Sequence, residues 1–132
     1  YVQYAHARVC SVLRKATEAG IEVSDETLSA ASLSKLNHAS ELEMAHKLAE
    51  WPRLVELAAR HNEPHRVAFY LYELAGNFHG LWNKGHDDPA LRFVQEDNLA
   101  SSQAKIALAR AVAVVISAGL GILGVKPVNV MR

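Results

Sequence analysis

The stretch IALARAVAVVISAGLGILGV, residues 106–125, decides what kind of molecule this chain forms. Read as a membrane span it would anchor the protein in a bilayer. Arg110 and three glycines interrupt it, however, and its unbroken apolar part falls short of the ~20 residues a span requires. The expectation is therefore a buried core helix over about 98–118, ended by Gly119, with LGILGVKPVNVMR closing the chain as an irregular tail.

The same helical period extends upstream. Val2, Ala5, Val9, Val12, Leu13 and Ala16 fall on one arc of a first helix, from about Tyr1 to Ala19, with Gly20 as its stop. Residues 21–38 are rich in serine and weakly periodic, a loose connection in which Ser24 can cap a short helix. Ser40 and Glu43 have capping-box spacing and predict a helix to about Glu50. Pro52 and Pro64 suit first helical turns, giving helices over about 52–61 and 64–84, and GHDDPA (85–90) has the composition of a turn. No stretch alternates long enough to be a strand. The fold class expected is all-α, one bundle of about five helices spanning 1–132.

Composition narrows function by exclusion. Net charge is zero, which argues against generic polyanion binding. Yet residues 1–15 carry Arg8, Arg14 and Lys15 with no acid, and residues 98–132 carry Lys105, Arg110, Lys126 and Arg132 with none. All fourteen carboxylates lie between Glu18 and Asp97. If the two ends pack together, one face is basic. The single Cys10 excludes an internal disulfide framework and fits a reducing, cytoplasmic setting. It has no recognisable dyad partner, so an inert thiol is expected. Residues 1–20 show no signal-peptide pattern.

Metal chemistry finds no support in the seven histidines. His61 and His65 have i,i+4 spacing, but Pro64 separates them, and no H-E-x-x-H pattern occurs. No glycine-rich phosphate loop precedes a helix. No metal, cofactor or catalytic residue is therefore expected.

Two aromatic groups remain. Tyr1, Tyr4 and Arg8 lie on an arc beside the core stripe of the first helix, and Phe78 and Trp82 lie four apart on the strip of Val67, Leu71 and Leu74. Each group has two readings, packing against a neighbouring helix or a platform of planar groups on which unstacked bases can lie. Spacing alone leaves both open.

YVQYAHARVCSVLRKA, PHRVAFYLYELAGNFHGLWN and LGILGVKPVNVMR, in this order, resemble the arginyl-tRNA synthetase family, specifically its C-terminal helical anticodon-binding (DALR) domain. The resemblance covers nearly the whole chain. It implies that Tyr1, Tyr4, Arg8, Phe78, Trp82 and Met131 contact the anticodon loop of an arginine tRNA. It also implies a longer cytoplasmic enzyme, a monomer, that joins arginine to its tRNA using ATP with Mg. The HIGH and KMSK signatures of that catalysis are not in this sequence, so the chain itself is expected to be non-catalytic and to work beside a catalytic domain. A first residue other than Met, set inside a helical pattern, fits an excised domain. Family members often carry Tyr at the position of Phe78, and many end at the Met, whereas Arg132 follows it here. Rival readings are a helical protein–protein interaction domain, the anticodon domain of a cysteine or methionine synthetase, and a small metal-dependent helical enzyme.

Overall fold

A computed structural model describes residues 1–95 and 97–131. The elements run in the order α1 (Val2–Glu18), α2 (Asp25–Ser29), a 3-10 turn (Leu33–Lys35), α3 (Ala39–Ala49), α4 (Trp51–Arg60), α5 (His65–Asp87), a second 3-10 turn (Pro89–Leu91) and α6 (Leu99–Ile122). No strand occurs among the described residues, and the five long helices make the expected all-α bundle.

Helix α6 stands at the centre, touching α1, α2, α3 and α5. Ala104, Ala109, Val112, Ala113 and Ile116 on it are almost wholly buried. Small alanines let the neighbouring backbones come close, which suits a helix surrounded on several sides. By length and composition this 24-residue helix could cross a membrane, a longer element than the sequence suggested, but half of its most apolar window is covered by the bundle. Helix α1 packs on α6 and α5 through Ala5, Val9, Val12 and Ala16, the predicted arc.

Helix ends show where local signals succeed and fail. Gly20 (φ +81°) terminates α1 as predicted: its N–H donates to Thr17 O at 3.0 Å, and that of Ile21 donates to Ala16 O at 2.9 Å. Gly119 does not end α6. It lies inside the helix against Leu71, whose side-chain atoms stand 2.7–3.0 Å from where a Cβ would be, so its role is close approach rather than termination. Gly124 (φ +77°) provides the stop, with Val125 N–H donating to Leu120 O at 2.8 Å.

The capping box of α3 also sits elsewhere than Ser40 and Glu43. His38 is the cap: its Nδ1 accepts from Ser40 N–H at 3.1 Å, and Glu41 Oε1 accepts from His38 N–H at 3.3 Å. The other Glu41 oxygen pairs with Lys105 Nζ of α6 at 2.7 Å in the buried interior, and the Ser40 hydroxyl accepts from Lys84. Helix α5 runs to Asp87, into the expected turn; Gly85 is buried there and its carbonyl accepts from Arg92 Nε at 2.9 Å.

Candidate nucleic-acid interface

The interface begins with a hydrogen-bonded seam between the two ends of the described chain. Gln3 on α1 uses its amide as a backbone mimic. Nε2 donates to Lys126 O and Oε1 accepts from Val128 N–H, both at 2.8 Å. One turn further, buried His6 places Nδ1 2.8 Å from Val128 O. Arg14 Nη1 reaches Asn129 O at 3.5 Å. Residues 126–131 are thus laid along α1, more than 100 positions away in sequence.

That seam brings Met131, 48% exposed, to a groove of about 260 Å³ whose lining includes Tyr4, Arg8, Arg14 and Trp82. Arg8 is its centre. Its guanidinium carbon lies 4.5 Å from the centre of the Tyr4 ring and 5.0 Å from that of Trp82. Nη2 donates to the Tyr4 hydroxyl at 3.1 Å, and Nη1 donates to His79 Nδ1 at 3.0 Å. A guanidinium has further N–H donors beyond these, so the group is oriented before any ligand arrives.

His79 orients Arg8 only while neutral. Burial pushes its pKa below the ordinary value, a tendency the Tyr1 carbonyl opposes and the Arg8 charge reinforces. With Nδ1 accepting from Arg8, the ring proton sits on Nε2, which points at Tyr1 O at 3.4 Å.

The structure sorts the candidates unequally. Tyr4, Arg8, Trp82 and Met131 share the groove. Tyr1 is 59% exposed but stands outside the lining, edge-on to His79 and 5.0 Å from the ring of Tyr72. Phe78 is corrected to a core residue: it has no exposed surface, and it stacks on Phe93 at 5.6 Å beneath the platform. No base can reach it here. Arg132 lies outside the described residues.

The basic face is smaller than the charge map suggested. Lys105 is spent on Glu41, and Arg110 faces Asp25 at 3.5 Å. Arg8, Arg14, Lys15 and Lys126 form no ion pair among the described residues. Cys10 lies 3.8 Å from His6 Nδ1, a neighbour the sequence reading passed over. That nitrogen donates to Val128 O, so it cannot take the thiol proton, and burial pushes the Cys10 pKa up against the lowering by Arg14 and Arg110. No group of three metal-ligating side chains occurs among the described residues.

Sequence reasoning missed Gln3, His6, His79 and Tyr72. A faint signal existed for two of them, since Tyr72 and His79 share a helical face of α5 at i,i+7. Gln3 and His6 gave none, because their partners are backbone groups 122–125 residues away.

Comparison with known proteins places the fold. Curated proteins named arginine–tRNA ligase are similar along this whole chain, at 69% identity in Ruegeria pomeroyi and 70% in Roseobacter denitrificans. The chain spans 23% of the length of each. A Thermus thermophilus arginyl-tRNA synthetase structure superposes with a TM-score of 0.73 at 28% identity, covering 99% of this chain and 21% of that one. A Campylobacter jejuni structure, 23% identical with a TM-score of 0.79, shares the fold over 99% of this chain and 26% of its own. The family model of the DALR anticodon binding domain matches residues 2–131, and with that match running almost end to end, this chain belongs to the DALR anticodon-binding domain family.

Proposed function

We propose that this chain is the anticodon-loop reader of an arginine–tRNA ligase. The observation that carries the reading is the position of Arg8, 4.5 Å from the Tyr4 ring and 5.0 Å from the Trp82 ring, in an open groove that Met131 also lines. Unpaired RNA bases are bound by stacking on aromatic and guanidinium planes and by hydrogen bonds along their exposed edges. A splayed anticodon base enters the groove, lies against Tyr4, Trp82 and Met131, and presents its edge to Arg8. For a cytosine, Arg8 supplies donors to the ring edge, and tail carbonyls held by the seam supply acceptors for the amino group. Arg14, Lys15 and Lys126 meet the phosphates.

Residues 1–132 act as one domain of a longer cytoplasmic polypeptide, working as a monomer beside a catalytic domain. Activation of arginine with ATP and Mg, and its transfer to tRNA, belong to that catalytic part. Tyr1 extends the platform, while Phe78 supports it from below.

A titration of the chain with a hairpin RNA carrying an arginine anticodon loop, against one with the middle base replaced, tests the reading. The expected result is preference for the first, with affinity falling steeply as salt is added. Equal affinity for both hairpins, or binding indifferent to salt, overturns it.

A further inference from the structure

Trp82 has a second neighbourhood that the groove leaves unused. Trp82 also lines, with α1, the end of α5 and the 88–95 loop, a pocket of about 310 Å³, within the ~300–1,000 Å³ range of small-ligand sites. Its floor is apolar and buried, made by Val12, Leu91 and Phe93. Phe93 lies near-parallel to the indole, at 6.3 Å and 23°. Lys15 and Arg92 stand at the mouth, and Lys15 Nζ is 5.7 Å from the centre of the indole.

The walls are already fixed. The Ser102 hydroxyl, fully buried, accepts from Gln95 N–H at 2.6 Å and donates to Gln95 O at 2.8 Å. Gln95 Nε2 donates to the carbonyls of Pro89 and Arg92, each at 2.7 Å. Arg92 Nε is held by Gly85 O. Asp88, the nearest capping acid, accepts from Ala90 N–H at 3.0 Å. The carbonyls of Gly85, Pro89, Arg92 and Gln95 each accept from a side chain, and the polar side chains in the pocket lining are Lys15, His86 and Arg92, all exposed.

We propose that this pocket takes a second unpaired base of the same RNA loop, so that Trp82 is a partition between two base sites. The inference rests on the RNA-loop reading above. A slot whose floor is apolar, with its polar side chains Lys15, His86 and Arg92 exposed, holds a base mainly by its faces, with little dependence on sequence. Arg8 and Lys15 lie 5.0 and 5.7 Å from the centre of the indole, and Lys15 meets the phosphate of a strand crossing from one site to the other.

The test is a cycle of RNA and protein changes. Hairpins with each loop nucleotide made abasic in turn are titrated against the unaltered chain, Val94→Trp, which narrows the pocket, and Lys15→Ala at its mouth. Circular dichroism checks that both variants keep their helicity. One abasic position should weaken the unaltered chain by roughly 5- to 150-fold and weaken Val94→Trp no further than the variant already is. The same position should remain additive with Tyr4→Ala. Lys15→Ala should weaken every hairpin and flatten the salt dependence. If the intact hairpin binds but Val94→Trp binds it unchanged, or every position is additive with Val94→Trp, the second site is overturned and the first stands. If the unaltered chain binds no hairpin at low salt, both readings fall together.

Discussion

The Arg8 guanidinium lies over the Trp82 indole, 5.0 Å from its centre, although the two residues belong to different helices. The Tyr4 ring lies 4.5 Å from the same group. A cation above a ring is attracted to its π face, and Arg stacks there in a way Lys does not. Arg8→Ala should weaken binding of the arginine anticodon hairpin by at least ~1 kcal/mol with helicity unchanged. Arg8→Lys should restore less than half of that loss, because it returns the charge without the plane. Isothermal titration of the three proteins measures both effects.

Gln3 is expected to hold Met131 in place without touching the RNA. Gln3→Ala removes two hydrogen bonds to the tail, a cost of about 1 kcal/mol, and frees the end of the chain. Hydrogen exchange at the Val128 amide should accelerate while amides in the middle of α1 keep their protection. Hairpin affinity should fall as it does for Met131→Ala, and the two changes together should cost little more than either alone.

His79 should titrate below its ordinary value of 6.5, because burial disfavours its charged form. Proton transfer to Nδ1 also removes the acceptor for Arg8. A histidine depressed on folding binds its proton more readily in the unfolded chain. Its contribution to stability is therefore complete above about pH 6.5 and is lost as pH falls through the folded midpoint. Arg8→Ala removes a neighbouring positive charge and should raise that midpoint, which an NMR titration of the imidazole carbons reads directly.

The Glu41–Lys105 pair joins α3 to the centre of the bundle, with both side chains buried. Lys105→Met strands the Glu41 charge and should destabilise the fold by ~3–5 kcal/mol. The double variant Lys105→Met with Glu41→Gln should recover most of this, since no buried charge is left alone. Urea unfolding curves of comparable slope would isolate the stability change.

The core faces of α1 and α5 and the stop at Gly20 follow from local rules. Helical periodicity reports which stripe of a helix is buried, and a left-handed glycine with its two backbone hydrogen bonds involves only nearby residues. Gly119 shows the limit of such rules. Its sequence context is that of a stop, yet the packing of Leu71 against its bare Cα carries α6 onward to Gly124.

Phe78 and His79 differ by about 100° around the same helix, and that rotation puts one in the core and the other under Arg8. Sequence by itself determined the all-α class, the core stripes, the cationic residues near both ends of the chain and the aromatic groups on the first helix and at 78–82. Only the tertiary structure decided which of them share a groove. The contacts that assemble it, Gln3 and His6 to Val128 and Arg8 to His79, close loops of 71 to 125 residues. Such contacts depend on how whole helices pack, and no local pattern of residues encodes them.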